Sequence, residues 1–101
     1  MADCIIVHWR DIPAQVIVKR GRTAEKRELS KRFIEAIDMA AMRSGAQDSE
    51  AYLTEWRRAA PLPCGDDLAA EADAAAARLE AGYTPDRLKA LIGNGGREPQ
   101  A

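Results

Sequence analysis

The chain has 101 residues and a mass of 11.0 kDa, the size of one small domain with a single hydrophobic core. Fifteen basic and 16 acidic side chains give a net charge of −1, which excludes a global field that attracts nucleic acid or anionic membranes. The charge is nevertheless uneven. Residues 1–33 carry eight basic and four acidic side chains, whereas residues 61–101 carry four and seven.

The strongly apolar stretch near the N-terminus runs only from Cys4 to Val7. A membrane span needs roughly 20 such residues and a secretory signal core about 7–15. Cys4 and Cys64 are the two cysteines, and no His or further Cys stands at ligand spacing from them. We therefore expect reduced thiols and a cytoplasmic protein, with no catalytic residues, no metal and no cofactor.

Two segments rich in β-branched and aromatic residues, 4–10 and 15–20, flank a short break over residues 11–14. This pattern predicts an antiparallel hairpin with a four-residue loop. Because side chains alternate along a strand, the loop length fixes which residues face each other. The predicted pairs are Trp9 with Val16, His8 with Ile17 and Val7 with Val18.

The predicted hairpin has one apolar face, which helices must cover because a two-stranded hairpin is marginally stable alone. That apolar face consists of Ile5, Val7, Trp9, Val16 and Val18. The other, more polar face consists of Ile6, His8, Arg10, Gln15, Ile17 and Lys19.

Four helices are predicted after a charged connection over residues 21–28. Their boundaries follow from capping residues and glycine or proline stops. The expected helices cover residues 30–44, 49–58, 67–81 and 85–92. The expected N-caps are Ser30, Asp48, Asp66 or Asp67, and Thr84, with Gly45 ending the first helix.

The first helix carries apolar residues on two sides. The side expected to face the core consists of Phe33, Ile34, Ile37, Ala40 and Ala41. Met39 and Met42 lie on the opposite, charged side, where a surface helix is normally polar. Their position indicates contact with a partner or a neighbouring helix as readily as a packing accident.

Together these elements predict an α+β domain over residues 1–93 and a flexible tail over residues 94–101. The domain is an N-terminal antiparallel hairpin packed against three to four helices. Residues 59–64 are extended and contain two prolines, which suit a third, short edge strand.

The strongest charged feature is a basic cluster at the hairpin and the connection after it. Such a cluster is compatible with weak nucleic-acid binding through phosphates, but two glutamates dilute it and no exposed aromatic accompanies it. We therefore regard nucleic acid as the lesser alternative. The cluster consists of Arg10, Lys19, Arg20, Arg22, Lys26, Arg27, Lys31 and Arg32.

His8 and Cys64 are the remaining candidates for chemistry. His8 has no predicted acceptor to orient it as a general base, so a structural role is expected. Cys64 precedes a predicted helix N-terminus, where the helix dipole lowers a thiol pKa, yet a cysteine in a linker is usually inert.

Three stretches resemble a known family: residues 7–16 with the run Trp-Arg-Asp-Ile-Pro-Ala-Gln, residues 36–42, and residues 51–57. They are similar to small bacterial proteins labelled "virulence factor", whose domain resembles a segment of larger, repeat-containing conserved virulence factors. The likeness covers roughly residues 4–92.

The resemblance implies an accessory protein with no established active site. Its small members accompany folate and corrinoid methyl-transfer genes, which implies an adaptor for a one-carbon enzyme as one alternative. We expect a non-catalytic protein-interaction module with a protein partner. The candidate interaction residues are Trp9, Arg10, Asp11, Gln15, Lys19, Arg20, Arg22, Met39, Met42, Arg43, Trp56 and Arg57.

Two further alternatives stay open at this point. A small-ligand carrier would need a concave pocket near Trp56 and Cys64. A homodimer would form through the open edge of the hairpin. Trp9 and Trp56 are each weighed as core anchors as well as binding residues.

Overall fold

A computed structural model describes residues 2–45 and 50–98. Within these ranges the chain folds into five strands and four helices, so the predicted α+β class is confirmed. The strands are β1 Ala2–Trp9, β2 Ile12–Arg20, β3 Thr23–Glu28, β4 Trp56–Arg58 and β5 Leu62–Cys64. The helices are α1 Lys31–Ser44, α2 Glu50–Thr54, α3 Leu68–Gly82 and α4 Pro85–Gly93.

The strands form one antiparallel sheet in the order β3-β2-β1-β4, and β5 also pairs with β1. β4 lies beside Val7–Trp9, while β5 lies beside Ala2–Cys4, so the two short strands share one edge of the sheet. The other edge is β3. β5 confirms the short edge strand predicted within residues 59–64.

The hairpin of β1 and β2 is confirmed, but its predicted register is wrong. Two residues, Arg10 and Asp11, join the strands instead of four, and Trp9 pairs with Ile12 rather than with Val16. Arg10 takes a left-handed conformation with φ of 54°, a position where such a turn normally favours glycine. The tight turn places Val18 opposite Cys4.

Contacts from distant segments hold this turn. The N–H of Arg10 donates to the carbonyl of Glu55 at 3.2 Å, and the N–H of Asp11 donates to the carbonyl of Gly96 at 2.8 Å. Both acceptors lie far along the chain. The hairpin sequence alone does not contain these acceptors. It therefore favours a four-residue loop over the tight turn that the acceptors stabilise.

A bulge follows the turn. The pairing shifts between Val7 and His8, because β2 contains one extra residue, Ala14. Pro13 lies next to this irregularity, where a missing N–H is tolerated. The shift matters because one residue of slip changes which side chains share a face.

The single apolar surface predicted for the hairpin is therefore divided. Val16 and Val18 are buried under α3, on one face of the sheet. Trp9 is buried at the turn end against Phe33 of α1, and α4 completes this part of the core. Ile5 lies on the face that points away from α3, since it alternates with the α3-facing residues of β1.

β3 and β4 are both absent from the sequence prediction. Residues 23–28 pair with β2 along the whole strand, although they were expected to be a charged connection. Residues 56–58 pair with β1, so the predicted helix over residues 49–58 is wrong beyond Thr54. The expected cap Asp48 and the start at Ser49 lie outside the described residues.

The other three helices are confirmed, with most of their caps. Gly45 ends α1 in a left-handed conformation with φ of 74°. The side chain of Asp67 accepts from the N–H of Ala70 at 3.2 Å, and that of Thr84 accepts from the N–H of Arg87 at 3.2 Å. These interactions satisfy N–H groups that a helix start leaves free.

Ser30 stands at the N-terminus of α1, but its side chain does not cap the helix. Its hydroxyl and its N–H donate instead to the carboxylate of Glu80 in α3, at 2.8 and 2.6 Å. Burial alone would raise the pKa of Glu80. The two hydrogen bonds from Ser30 and the nearby Arg32 outweigh burial, so the pKa is lowered. The residue predicted as a cap therefore joins two helices.

One side of α1 is buried as predicted, except at Ile34. Ile34 is 43% exposed, and Ala36 is buried although it was not predicted to face the core. Met39 and Met42 are exposed, as the sequence predicted. The buried residues of α1 are Phe33, Ala36, Ile37, Ala40 and Ala41.

Residues 94–98, which the sequence assigned to a flexible tail, turn back toward the hairpin. The N–H of Glu98 donates to Oδ2 of Asp11 at 2.7 Å, and Gly96 is buried. This segment packs with the domain rather than extending from it. Residues 99–101 of the predicted tail lie outside the described residues.

Candidate functional site

A concave surface lies on the sheet face that points away from α3. Its floor is one row of directly opposed residues, Val7 on β1, Gln15 on β2 and Glu28 on β3. Directly opposed residues of antiparallel strands point to the same face, so the three side chains form a continuous strip. The bulged residue Ala14 borders it.

Two walls rise from this floor. The first is the start of α1, which contributes Lys31 and the half-exposed Ile34, with Leu29 at its base. The second is Trp56 of β4, whose ring packs against Tyr52 with the centroids 6.2 Å apart. They enclose a volume of about 660 Å³. We call this site the α1 groove, and its lining is Val7, Ala14, Gln15, Glu28, Leu29, Lys31, Ile34 and Trp56.

Basic side chains border the α1 groove. Lys26 shares the face of Ile17, one row from the floor, and Arg58 lies opposite Val7. Lys26, Lys31 and Arg58 form no ion pair with any other residue in the described ranges. Glu28 on the floor is likewise unpaired there. The groove therefore combines an apolar lining with an excess of available positive charge.

Asp11 and the neighbouring turn have a structural role. Oδ1 of Asp11 accepts from Nη2 of Arg57 at 3.3 Å, in addition to the bond that its Oδ2 accepts from the N–H of Glu98. Arg10 donates from Nη1 to the carbonyl of Gly95 at 2.7 Å and lies over the Trp9 ring at 4.7 Å. These two predicted interaction residues thus hold the C-terminal segment against the hairpin.

Trp9, another predicted interaction residue, is fully buried. Its indole N–H donates to the carbonyl of Tyr52 at 2.8 Å, which leaves neither its ring nor its polar atom available to a partner. The alternative reading of Trp9 as a core anchor is the one that the structure supports. Trp56 differs, because it is only partly buried and borders the groove.

Half of the basic cluster is engaged in ion pairs with acidic residues from later in the chain. Arg20 lies 3.7 Å from Asp66, and Arg27 donates to Asp73 at 2.7 Å. Arg32 pairs with Glu80, and Arg10 pairs with Glu55. Lys19 and Arg22 are exposed and lack such a pair among the described residues. Fewer basic side chains of the cluster are therefore available to phosphates than the sequence indicates.

The exposed methionines lie apart from the basic cluster. Met39 lines a separate shallow depression of about 210 Å³ between α1 and α4, where Lys89 and Ile92 are its neighbours. Met42 and Arg43 are exposed further along α1. Neither methionine is among the residues that line the α1 groove.

His8 and Cys64 show little sign of chemical activation. Burial lowers the pKa of His8, and the charge of Arg57 lowers it further, which fits a neutral structural imidazole. Cys64 lies in β5 rather than at a helix start. Burial and the carboxylate of Glu71 raise its pKa, so the thiolate activated by a helix dipole is not found.

The family model described as Virulence factor matches residues 7–92, most of the chain and nearly the whole span of the resemblance seen in the sequence. The chain belongs to the Virulence factor family. No curated protein and no solved structure gives a match. The described part of this Virulence factor domain also contains no helix long and apolar enough to cross a membrane.

Sequence reasoning identified only part of the groove of this Virulence factor domain. Gln15 and Trp56 were among the predicted interaction residues. The other six lining residues were not, and of these only Lys31 was singled out, as a member of the basic cluster. Glu28 and Leu29 were missed because β3 was not predicted, and Ile34 because helical periodicity assigned it to the core. Residues 25–28 are all charged, so the sequence there has no alternation that would have indicated a strand.

Proposed function

We propose that this Virulence factor domain is a non-catalytic protein-binding module, and that the α1 groove receives an extended segment of a partner protein. The observation that carries the proposal is the uncovered apolar lining of a concave site. Ile34 is 43% exposed there and Trp56 is partly exposed, so two large apolar side chains face the open site. Large apolar side chains around a concave centre are typical of binding hot spots.

The charges around the groove support a particular kind of segment. Lys26, Lys31 and Arg58 are unpaired within the described residues, whereas one carboxylate, Glu28, faces them. A segment with an apolar anchor and flanking Asp or Glu residues would bury its anchor between Ile34 and Trp56. Its carboxylates would meet the free cations, which speeds association and selects against basic segments.

The chemistry of the lining favours binding over catalysis. The eight lining residues include one carboxylate, one amine and one amide, with no His, Cys, Ser or Thr among them. The carboxylate of Glu28 and the amine of Lys31 have no hydrogen-bonded or ionic partner among the described residues that would orient or activate them for acid–base or nucleophilic chemistry. Gln15 and Lys31 suit hydrogen bonds to a bound chain.

The test is affinity purification from the source organism with matched variants on the same helix. Ile34→Glu places a charge in the groove, whereas Met39→Glu/Met42→Glu charges the exposed side outside it. We expect the wild type and the methionine variant to retain a shared protein that Ile34→Glu loses. Loss with the methionine variant alone, or retention by all three chains, would contradict the groove.

The captured protein then permits a quantitative test. Synthetic segments of that protein are titrated while the fluorescence of Trp56 is followed, with Trp56→Phe as the control that leaves only the buried Trp9. The segment that binds should contain an apolar anchor next to acidic residues. Ile34→Glu should weaken its binding by at least about thirtyfold, which corresponds to the loss of one hot-spot residue.

The folate or corrinoid methyl-transfer enzyme implied by the family resemblance is one partner that this proposal accommodates. If the shared protein is such an enzyme, the domain is its adaptor. Addition of the enzyme's own cofactor would then leave the complex intact, because the groove and not the cofactor makes the contact.

A small-ligand carrier is a second candidate function, and the size of the groove favours it. A volume of about 660 Å³ lies within the range of ligand sites, which is roughly 300–1,000 Å³. Native mass spectrometry of protein purified from its source separates the two functions. Retained small-molecule mass that is lost in Ile34→Glu supports the carrier, whereas retained protein supports the binding module.

A further inference from the structure

The two cysteines lie on neighbouring strands, although 60 positions separate them in the sequence. Cys4 of β1 pairs with Leu62, and Cys64 of β5 pairs with Ala2, so the thiols occupy diagonal positions of one antiparallel ladder. Positions two apart on a strand share a face. Both cysteines pack in the same apolar cluster beneath α3, on the face opposite to the α1 groove.

Both thiols also open onto one cavity. Cys4 and Cys64 line a space of about 430 Å³ together with Glu71 and Arg78 of α3. Cys64 is partly exposed and Cys4 is 9% exposed, so a small ion can reach the pair from solvent. The adjacency is therefore established by strand pairing, by shared packing and by a shared cavity.

The spacing suits a bridging atom better than a disulfide. Diagonal neighbours of an antiparallel pair have Cα atoms about 7–8 Å apart. A direct disulfide accepts Cα separations of roughly 4.4–6.8 Å and sulfurs only about 2 Å apart. One metal between two sulfurs, with bonds of about 2.3 Å each, spans up to about 4.6 Å. A bridge of that length is compatible with thiols on diagonal positions of the ladder.

The number of metal-binding side chains at the cysteine pair restricts which ions it can hold. No group of three or more His, Cys, Asp or Glu side chains within the described residues is arranged around a metal ion. Zinc, which takes four ligands in structural sites, therefore has too few donors here. A soft centre that is satisfied by two thiolates matches the pair, because sulfur ligands select soft ions such as Cu(I).

We propose that Cys4 and Cys64 form a dithiol site for one soft metal or metalloid centre. With a trivalent arylarsine oxide, each thiol loses its proton and the arsenic oxygen leaves as water. Two arsenic–sulfur bonds form and arsenic stays trivalent, so no oxidant or reductant is needed. With Cu(I), the same two protons pass to solvent and the ion is held between the thiolates.

Both sulfurs start as thiols. Burial raises the pKa of Cys4, and the adjacent Cys64 raises it further, while burial and Glu71 raise the pKa of Cys64. The reaction with the arsine oxide therefore places both thiol protons in the water that leaves, whereas Cu(I) releases them to solvent.

The experiment uses the full chain and one equivalent of phenylarsine oxide, with intact-mass detection after excess glutathione. The wild type should keep one arsenical and lose both alkylatable thiols. Cys4→Ser and Cys64→Ser, each confirmed as folded by circular dichroism, should keep none. Equal retention by the wild type and either variant would overturn the proposal.

Two further arms keep the test decisive. In urea the unfolded wild type should bind the arsenical at least about tenfold more weakly, because the fold supplies the effective concentration of the second thiol. Equal affinity of folded and unfolded chains would overturn a preformed site. Competition against a chromophoric Cu(I) chelator separates the sources: Cu(I) held by the wild type assigns the site to the metal ion, and retention of arsenic alone assigns it to metalloids.

Discussion

Gly96 lies against the indole ring of Trp9, although the two residues stand near opposite ends of the chain. Gly96 is buried and has a φ of 90°, and a Cβ atom at this position would lie 2.8 Å from Cζ3 of Trp9. The carbonyl of the same residue accepts from the N–H of Asp11. The C-terminal segment therefore reaches the hairpin turn only because residue 96 has no side chain.

Gly96→Ala should destabilise the domain by about 1–3 kcal/mol, since the added methyl both overpacks the Trp9 site and strains a left-handed backbone. The matched control is Gly82→Ala at the end of α3, where an added Cβ meets nothing within 4 Å. The control should be neutral or stabilising. Urea unfolding of the two variants measures the difference, and equal midpoints would contradict the close contact.

Asp11 should contribute to stability through the bonds it accepts at the turn. Asp11→Ala removes the acceptor of the Glu98 N–H and of Arg57, and leaves a partly buried N–H without its partner. We expect a cost of about 1–3 kcal/mol. Asp38→Ala, on the exposed side of α1, should change the unfolding free energy by less than about 0.5 kcal/mol. Similar losses of unfolding free energy in both variants would show that the bonds to Asp11 do not stabilise the domain.

His8 should make the domain less stable in mild acid. Its pKa is lowered in the folded state, so below the unfolded value of 6.5 the unfolded chain binds the proton first. Stability is therefore complete above that value and falls as the pH decreases toward the folded pKa. Urea midpoints at about pH 7.5 and pH 5.5 should show a larger drop for wild type than for His8→Gln. The same drop in both chains would assign the effect elsewhere.

The charges of β3 should prevent pairing with a second copy. In a two-fold antiparallel pair, one residue lies opposite its own copy, and centring on residues 25, 26, 27 or 28 brings like charges together. Lys26→Thr removes the central repulsion and leaves Glu25 opposite Arg27 on both sides. We expect a single slow species for wild type in sedimentation velocity and a faster component for the variant.

The control for β3 is Lys19→Thr, which removes a charge from the inner strand β2 without changing the edge. It should sediment like the wild type. A wild-type dimer that depends on β3 would instead support the homodimer through a hairpin edge. If a variant with a deletion within residues 23–28 loses that dimer, β3 is the strand through which the two copies pair.

The helices could be predicted because their signals are local. Gly45, Asp67 and Thr84 stand at helix ends and act within one turn of the residues they cap. Phe33 and Ile37 are buried, as helical periodicity indicates. Each inference uses residues that are close in sequence, where spacing determines the contact.

The sheet could be predicted only in part, because its register depends on distant partners. The left-handed Arg10 is held by Glu55 and Gly95, and the N–H of Asp11 by Gly96, none of which the hairpin sequence contains. β3 was missed because its charged side chains give no apolar alternation. The α1 groove could not be assembled without β3 and β4, so only Gln15 and Trp56 were identified in advance.

Site-specific photocrosslinking shows whether a partner binds in the α1 groove. A benzophenone amino acid is placed at position 34 in the groove or at position 42 on the same helix, and crosslinks are mapped by mass spectrometry. Position 34 should crosslink to one protein, at an apolar segment flanked by acidic residues, and position 42 should not. Crosslinks from position 42 alone, or the same proteins at both positions, would contradict binding in the α1 groove.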